Sequence, residues 1–291
     1  MLTDTYGRTV SNIRISLTQA CNLNCIYCHA EGEKNPEEEL SREQIAEILR
    51  VAQRFGIRSV KFTGGEPLMR ADLEEIVASV PPGMESSLTT NATLLADRAH
   101  ALKKAGLSRV NVSIDSLDPV RYEQITGHPM LGEALAGVEA ALDAGLTPVK
   151  VNMVVLSGIN EDEVDAMIDF VRQDANLVLQ LIELMQFRDC DHHGDVQGIE
   201  ERIEAMADRV ETRRMHHRKK YFIHGAEVEV VRPLHNTEFC AYCNRLRLTS
   251  DGKLKPCLLR SDNLVDVRGL SGTALEEAFR EAVNRRTPFF R

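Results

Sequence analysis

One stretch near the start of the chain decides the fold: Leu17-Thr18-Gln19-Ala20-Cys21-Asn22-Leu23-Asn24-Cys25-Ile26-Tyr27-Cys28. It places three of the seven cysteines within eight residues, in the spacing C-x3-C-x2-C. Thiols this close cannot cross-link a fold, but they suit a metal centre. Three cysteines can ligate three irons of a four-iron cluster and leave the fourth iron open, as a catalytic centre needs. The alternative is a zinc knuckle, for which the neighbouring His29 is badly spaced as a fourth ligand.

Composition places the chain among ordinary globular proteins. It has 291 residues, 43% of them apolar and 27% charged, which is enough for one large domain with a small appendage. The net charge of −9 argues against general nucleic-acid binding but allows a local basic pocket for a phosphorylated small molecule. No apolar run approaches the roughly 20 residues of a membrane span, and residues 1–4 lack the features of a signal peptide. We therefore expect a cytoplasmic protein without nucleic-acid or membrane partners.

Strands and helices alternate along the chain up to about residue 190. The pattern predicts strands at 12–17, 59–63, 87–90, 109–114, 147–156 and 177–184. Helices are predicted between them, at 41–55, 71–80, 95–105, 131–144 and 161–172. The acidic residues 31–39, which include Pro36, are predicted as an exposed loop. Strands that alternate with helices in this way predict a parallel α/β sheet, either open or closed into a barrel.

Unusual residues cluster at the C-terminal ends of the predicted strands. The cysteine loop, Gly64–Glu66, Thr89–Asn91, 113–115 and 183–185 each end or follow a strand. Because α/β barrels assemble their active sites at that edge, the sequence favours a barrel. In Gly64-Gly65-Glu66-Pro67, the glycines let the backbone approach a ligand closely, and a carboxylate such as Glu66 can accept a hydrogen bond from an ammonium group.

The pattern changes after residue 190. It predicts a helix over Ile199–Val210, a hairpin within 213–232 around Gly225, and a closing helix over Thr273–Asn284. We place a boundary between a domain of residues 1–210 and a small C-terminal domain of residues 211–291, which would cap the open side of the barrel. The basic run from Arg213 to Lys220 is predicted as a solvated hairpin edge rather than a nucleic-acid contact, because it lacks interleaved aromatic residues.

A second group of cysteines lies near the C-terminus. The remaining cysteines are Cys190 and a trio spaced C-x2-C-x13-C, namely Cys240, Cys243 and Cys257. Reduced cysteines clustered in this way are typical metal ligands. A zinc site completed by His235 or Cys190 is one interpretation. Beside the trio, however, Arg245 and Arg247 present two guanidinium groups that suit phosphate or purine recognition and that a structural zinc site does not need.

The motifs together carry a family resemblance. The cysteine loop with Gly64-Gly65-Glu66-Pro67 resembles the radical S-adenosylmethionine (SAM) signature, in which the open iron binds SAM. Over residues 8–286, with the second trio and its Cys-Asn-Arg-x-Arg run, the chain closely resembles the molybdenum-cofactor biosynthesis protein A (MoaA) family, the GTP 3′,8-cyclases. The resemblance implies a radical SAM partial (β/α)6 TIM-like barrel, open on one side and capped by a small C-terminal domain.

The resemblance also implies the activity and its partners. A lyase of this family converts GTP into (8S)-3′,8-cyclo-7,8-dihydroguanosine 5′-triphosphate, the first step of molybdopterin synthesis. It uses SAM and two [4Fe–4S] clusters, and the second cluster binds the guanine base. A reducing electron donor and a downstream enzyme of molybdopterin synthesis are implied as partners. The sequence leaves a homodimer open.

Carried over residue by residue, the resemblance assigns three groups of side chains. The first cluster is implied at Cys21, Cys25 and Cys28, and the second at Cys240, Cys243 and Cys257. SAM contacts are implied at Tyr27, Gly65, Ser113 and Met185. GTP contacts are implied at Arg14, Lys61, Thr89, Lys150, Arg245 and Arg247. The cations among them suit a triphosphate, since a charge within a barrel strand is costly to bury without a partner.

The chain departs from the family at three places. The family's C-terminal Gly-Gly pair is not matched in 287–291, Gln180 replaces an arginine, and Ala92 replaces the glycine after Thr-Thr-Asn. The change at 180 would remove one charge from the site. Two other functions stay open: a radical SAM peptide-modifying enzyme, which usually has more C-terminal cysteines, and a zinc-stabilised binding module. Metal content separates the module from both enzymes, because zinc without inorganic sulfide would exclude them.

Overall fold

The structure, a computed structural model, describes residues 1–32, 38–185, 190–213, 215–234 and 237–289. Four predictions touch residues outside these ranges: those on the acidic loop around Pro36, Arg214 of the basic run, the candidate zinc ligand His235, and the last two residues. Within the described ranges, no helix has the length and apolar character needed to cross a membrane.

The described residues form strands and α-helices in the following order. The strands are β1 (Asn12–Ser16), β2 (Ser59–Thr63), β3 (Glu85–Thr90), β4 (Arg109–Ser113), β5 (Val149–Val155), β6 (Leu177–Glu183), β7 (Arg209–Thr212), β8 (Lys219–Ile223), β9 (Ala226–Val231), β10 (Arg245–Leu248), β11 (Lys253–Lys255) and β12 (Val265–Asp266). The helices are α1 (Arg42–Arg54), α2 (Leu73–Ala78), α3 (Ala99–Ala105), α4 (Pro119–Thr126), α5 (Leu131–Asp143), α6 (Val164–Arg172), α7 (Val196–Met206), α8 (Thr237–Ala241) and α9 (Gly272–Asn284).

These strands belong to one sheet, in the order β12-β11-β10-β1-β2-β3-β4-β5-β6-β9-β8-β7. The six predicted strands are confirmed as β1 to β6, which run parallel and lie side by side in chain order. β10 pairs parallel with β1 and β9 pairs parallel with β6, so the C-terminal part of the chain extends both edges of the sheet. The sheet ends at β12 and β7 without closing, which confirms a partial barrel. The domain boundary at residue 210 stays a prediction.

Helix α1 shows how the sequence sets a local boundary. The hydroxyl of Ser41 accepts a hydrogen bond from the N–H of Gln44 at 3.2 Å, and the N–H of Ser41 donates to the Gln44 side chain at 3.0 Å. This reciprocal pair is the predicted capping box. Ile45, Ile48 and Leu49 then recur at helical spacing and are fully buried against the sheet. The predicted helix is confirmed.

Strand β5 shows why the interior of the barrel is polar. Val149, Val151 and Met153 are fully buried in the apolar core. Lys150 and Asn152 alternate with them and line a central cavity. Successive side chains of a strand point to opposite faces, so the apolar set packs on the helices and the polar set faces inward.

Two predictions on helices need correction. The helix predicted over Ile199–Val210 runs from Val196 to Met206, and Val210 instead lies in the antiparallel strand β7. Helix α4 was not predicted. It begins at Asp118, whose carboxylate accepts hydrogen bonds from the N–H groups of Val120 and Arg121, both at 2.9 Å. Its weak apolar periodicity hid it, although Asp-Pro before it and Gly127 after it are start and stop signals.

Candidate active site

A cavity of about 710 Å³ lies inside the barrel, and most of the predicted site residues line it. Those predicted to contact SAM and found on its wall are Tyr27, Ser113 and Met185. All those predicted to contact GTP are on its wall: Arg14, Lys61, Thr89, Lys150, Arg245 and Arg247. The second cysteine trio also lines it. Gly65 and the first trio, Cys21, Cys25 and Cys28, are not part of the wall, although Tyr27 and His29 beside that trio are.

The loop after β2 holds the first cysteine loop by backbone hydrogen bonds. Gly65 N–H donates to the carbonyl of Thr18 and Glu66 N–H donates to the carbonyl of Ala20, both at 2.7 Å. A Cβ built on Gly65 would lie 2.2 Å from the Ala20 carbonyl oxygen and 2.6 Å from that of Gln19. Only glycine therefore permits this approach of the two loops.

Glu66 joins the loop after β2 to the end of β3. Its fully buried carboxylate accepts hydrogen bonds from Leu68 N–H at 2.9 Å and from the Thr90 hydroxyl and Asn91 N–H, both at 2.7 Å. These donors engage both carboxylate oxygens and tie the loop after β2 to the end of β3. That Glu66 can accept a hydrogen bond from an ammonium group stays a prediction; among the described residues, the donors to its carboxylate come from its own loop, from β3 and from Asn91 directly after it.

Tyr27 is fixed in the cavity by Asp115. The Tyr27 hydroxyl donates to Asp115 Oδ2 at 2.5 Å, and Asp115 Oδ1 accepts from Val154 N–H at 2.8 Å. Burial raises the pKa of Asp115 to about 6, although both hydrogen bonds oppose that rise. Asp115 follows β4 at the edge that the sequence singled out, but its role as the partner of Tyr27 could not be read from spacing.

The first trio consists of free thiols close enough to influence one another. Cys21 is exposed, while Cys25 and Cys28 are half-buried. Burial raises the pKa of the Cys25 thiol, and the negative charges of Asp115, Cys28 and Cys21 raise it further. Neighbouring thiolates would repel one another unless a cationic iron centre compensated them, so this donor set fits an iron–sulfur cluster. Among the described residues, no three His, Cys, Asp or Glu side chains form a ready-made site for a single metal ion.

The second trio is held by arginines from both ends of the chain. Arg8 Nη1 donates to the carbonyl of Cys240 at 3.0 Å, and Arg286 Nη2 donates to the carbonyl of Cys243 at 2.6 Å. Asp4 forms ion pairs with Arg8 at 2.7 Å and with Arg286 at 3.1 Å. All three charged side chains are at least nine-tenths buried. We call Asp4, Arg8 and Arg286 the arginine clamp.

Two stacked pairs of rings also support the second trio. His216 stacks on Phe239 with ring centroids 3.8 Å apart, and His217 stacks on Tyr242 at 3.5 Å. They pack the turn at 215–217 against α8 and the residues that follow it. Burial, with the charges of nearby arginines, lowers the pKa of His216 to about 2, so this ring is neutral. Burial also raises the pKa of Cys257, with smaller contributions from Cys243 and Cys240.

Glu31, three residues after the first trio, forms ion pairs with Arg14 and with Arg247 near the second trio. Its carboxylate lies 2.8 Å from Arg247 and 3.4 Å from Arg14, and it accepts a hydrogen bond from Thr63 at 2.9 Å. Burial alone would raise its pKa, but Arg14 and Arg247 lower it to about 2. The prediction of an exposed acidic loop is therefore wrong at Glu31, which is 8% exposed.

The predicted GTP lysines lie in a strongly cationic part of the cavity. Lys61 donates to Asn111 Oδ1 at 2.6 Å, and burial together with nearby cations lowers its pKa well below the usual value. Lys150 forms an ion pair with Glu229, and burial lowers its pKa to about 8. Gln180 donates to the same carboxylate at 3.0 Å. Thr89 lines the cavity with a hydroxyl that has no hydrogen-bond partner among the described residues.

The basic run and Ala92, both noted in the sequence, can now be placed in the structure. The solvated hairpin edge predicted for the basic run is wrong at Arg213, Arg218 and Lys220, whose side chains line the cavity. A pattern of charges in the chain could not show that the hairpin lies beside β6. Ala92 adopts φ +63°, a backbone conformation that favours glycine, which accounts for the glycine the family has there.

Comparison with known proteins gives matches along the whole chain. Two family models match: Radical SAM superfamily over residues 15–171 and Molybdenum Cofactor Synthesis C over residues 177–290. A Methanocella arvoryzae protein named "Probable GTP 3′,8-cyclase" is 55% identical, over 100% of this chain and 95% of its own. Proteins of the same name from Methanosarcina mazei and Archaeoglobus fulgidus are 52% and 47% identical over 100% of this chain, and over 90% and 100% of their own.

Solved structures share the fold at low sequence identity. Streptococcus suis SuiB bound to S-adenosylmethionine matches with a TM-score of 0.68 and 15% identity, over 94% of this chain and 66% of that one. Native anSMEcpe with bound AdoMet matches with a TM-score of 0.66 and 15% identity, over 93% of this chain and 81% of that one. These matches agree with the partial barrel described above.

Proposed function

The chain belongs to the GTP 3′,8-cyclase family of the radical SAM superfamily, and from this premise we propose that its cavity holds SAM and GTP between two iron–sulfur clusters. It is a radical SAM lyase that converts GTP into (8S)-3′,8-cyclo-7,8-dihydroguanosine 5′-triphosphate, the first step of molybdopterin synthesis. The observation that carries the proposal is the cavity itself, whose wall joins residues from both cysteine motifs to a set of cations. Relatives 47–55% identical carry the cyclase name, so the peptide-modifying alternative is not favoured.

Each trio is proposed to ligate one [4Fe–4S] cluster. Cys21, Cys25 and Cys28 would hold the first, and Cys240, Cys243 and Cys257 the second. Free thiols in mutual reach, each trio without a fourth cysteine beside it, support this assignment. With SAM bound, the first cluster supplies the reductive radical chemistry that the family uses.

The SAM side of the cavity is proposed to involve Tyr27, Gly65, Ser113 and Met185. Asp115 keeps the Tyr27 ring in place, so the aromatic wall is rigid before any ligand enters. Gly65 acts through its backbone, because its lack of a side chain sets the distance between the cysteine loop and the loop after β2. These contacts orient a ligand and exclude water from it.

The GTP side is proposed to involve Arg14, Lys61, Thr89, Lys150, Arg245 and Arg247. Arg245 and Arg247 lie in β10, beside Asn12 and Arg14 of β1, so the four residues face one another across two strands. The free hydroxyl of Thr89 and the buried lysines can bind a polar, anionic ligand at little cost of reorganisation. Burial lowers the pKa of Lys61 most and nearby cations add to that effect; a bound triphosphate would compensate the repulsion between the cations.

The organisation and setting of the enzyme remain our inference. We divide the chain at residue 210 into a barrel and a C-terminal domain; the two family models instead meet between residues 171 and 177, before the last strand of the barrel. A cytoplasmic location suits seven free cysteines. An external electron donor, the next enzyme of molybdopterin synthesis and a homodimer stay predictions.

The proposal is tested with anaerobically reconstituted protein. Iron and sulfide are counted per chain, GTP, SAM and a reductant are added, and 5′-deoxyadenosine and the cyclised nucleotide are measured by mass spectrometry. We expect two four-iron clusters and deoxyadenosine formation that depends on GTP. Cys21→Ser should abolish SAM cleavage, and Cys240→Ser should abolish cyclisation.

Cys190→Ser is the matched control, because Cys190 is a half-buried thiol outside both trios, and it should keep full iron content and activity. Deoxyadenosine formation indifferent to GTP would point to another substrate. Zinc without sulfide would contradict both the cofactor and the reaction.

A further inference from the structure

Glu229 gathers more positive charge than it can neutralise. Its carboxylate is completely buried and pairs with Lys150, with Arg213 at 2.7 Å and with Arg218 at 3.5 Å. Gln180 adds a neutral donor. Three cations on one carboxylate leave two positive charges in excess. Burial alone would raise the pKa of Glu229, but these cations lower it to about 2, so the carboxylate is ionised at neutral pH.

The carboxylates of the neighbouring ion pairs do not neutralise this excess positive charge. Arg109 pairs with Glu85, and Lys220 pairs with Glu227 at 2.6 Å, so these cations have carboxylates of their own. Among the described residues, Lys61 has only the neutral amide of Asn111 as a hydrogen-bond partner, so no carboxylate offsets it. An excess of buried cations is costly unless an anion enters. We call Lys150, Arg213, Arg218 and Glu229 the cation cradle.

Arg218 is the member of the cradle best prepared to bind that anion. Its side chain is only 11% exposed, and its Nε atom is buried without a hydrogen-bond partner among the described residues. A guanidinium carries five N–H donors in a planar fork that matches phosphate oxygens. Within the described ranges, its side chain forms one ion pair, the long one with Glu229, which leaves most of these donors for a ligand.

Arg218 also faces the arginines beside the second cysteine trio. Burial lowers the pKa of Arg245, and the charges of Arg14, Arg247 and Arg218 add to that effect. Burial and the same kind of repulsion, from Arg247 and Arg218, lower the pKa of Arg14 to about 10. Arg218 therefore links the cradle to Arg14 and Arg245, on the wall of the same cavity.

We propose that Arg218, held by Glu229 beside Lys150 and Arg213, is a binding residue for the polyphosphate end of the nucleotide. The inference rests on the proposed GTP substrate and adds two arginines of the 213–218 segment to its site. Arg218 directly precedes β8, so the part of the sheet formed by β7 to β9 supplies the phosphate subsite, far from β10 in the strand order. Glu229 is a positioning residue, since it fixes the cations and does not itself bind an anion.

The test separates the two ends of the ligand. Full-length, anaerobically reconstituted protein is titrated calorimetrically with GTP, guanosine and inorganic tripolyphosphate. Arg218→Gln should weaken GTP and tripolyphosphate binding by about tenfold or more, because it removes charge-assisted hydrogen bonds. Guanosine binding should stay within about twofold, since no phosphate is present to lose its partner. Arg218→Lys should fall between, because it keeps the charge and loses the fork.

Arg209→Gln is the matched control: it changes an arginine of the adjacent strand β7 whose side chain is 59% exposed. It should leave all three affinities unchanged. Iron content and melting temperature show whether Arg218→Gln is folded, and Arg218→Lys carries the test if it is not. Equal losses for guanosine and GTP, or an unchanged GTP affinity, would overturn the assignment of Arg218. Wild-type protein that binds tripolyphosphate but neither binds nor converts GTP would instead overturn the proposed function and leave the cradle standing.

Discussion

The two cysteine trios are held in place by different means. The first occupies eight consecutive residues after β1, and a second loop pins it through backbone hydrogen bonds. The second spans residues 240–257, and its backbone is fixed by the side chains of Arg8 and Arg286. A site of the first kind depends on which residues lack a side chain. A site of the second kind depends on buried charges that arrive from distant parts of the chain.

The trios also lie toward opposite ends of the barrel strands. The first follows Ser16, the C-terminal residue of β1. Cys243 precedes β10, whose first residue, Arg245, pairs with Asn12 at the N-terminal end of β1. Parallel pairing thus places one trio beyond each end of the same strand. The length of the strand leaves a space between the trios, and the cavity occupies it.

The largest expected effect comes from breaking the backbone contact at the first trio. In Gly65→Ala, the added Cβ would meet the Ala20 carbonyl 2.2 Å away, and neither loop can yield cheaply. Overpacking of this kind costs about 1–3 kcal/mol, so SAM affinity should fall by up to about a hundredfold. Iron per chain should drop toward the content of one cluster, measured on reconstituted protein.

Gly132→Ala is the control for this change, since Gly132 lies in α5 with no other atom within 4 Å of the added Cβ. It should leave iron content and SAM affinity as they are. Normal SAM affinity in Gly65→Ala would show that the first loop is not held by this close approach.

A smaller effect, on the second trio instead of the first, is expected from breaking the arginine clamp. Arg286→Ala removes the hydrogen bond to the Cys243 carbonyl and leaves Asp4 with one cation instead of two. Loss of a buried ion pair costs about 3 kcal/mol, although the remaining Arg8 should reduce that figure. We expect occupancy of the second cluster and GTP affinity to fall, by less than the SAM affinity falls in Gly65→Ala, while SAM affinity is kept, as seen by electron paramagnetic resonance and calorimetry.

Arg280→Ala, in the helix α9 that precedes Arg286 and with a side chain 55% exposed, is the matched control and should behave like wild type. Equal loss of both clusters in Arg286→Ala would mean that the clamp supports the whole barrel rather than the second trio.

The smallest effect is a pH dependence confined to the GTP side. Burial lowers the pKa of Lys150 from 10.5 to about 8. A lysine is cationic below its pKa, so the charged fraction falls from about nine-tenths at pH 7 to about one-tenth at pH 9. GTP affinity should weaken by up to about tenfold over that range, whereas SAM affinity should not follow it. Lys150→Arg keeps its charge and should remove most of the decline; a SAM affinity that fell in parallel would contradict the separation of the two ends.

The sequence predicted what depends on local spacing. The six strands of the barrel and the position of the cysteine loop follow from periodicity and from a contiguous motif, and the structure confirms the strands. The sequence also predicted that the backbone at Gly65 would be closely approached, because a glycine after a strand permits this, but it did not identify the approaching loop.

The sequence could not predict the buried charged partners. Arg8 reaches Cys240 across 232 residues, and Lys150 reaches Glu229 across 79. No local pattern marks either contact, because each arises only when separate strands meet. Glu31 shows the same limit: within an acidic stretch it resembles a solvated residue, and only the packing of β10 against β1 brings Arg247 to it.

The order of the strands also determines which of the two cysteine sites can form first during synthesis. β1 to β6 are neighbours both in the chain and in the sheet, so they can pair as they leave the ribosome. β10 pairs with β1, with Arg245 opposite Asn12, so this pairing can form only after most of the chain has been synthesised. Because it closes a much longer loop, it also costs more loop-closure entropy. The frame around the first trio therefore exists before the frame around the second. A nascent chain can receive its first cluster early, and the return of β10 is the event that makes the second site ready to be filled.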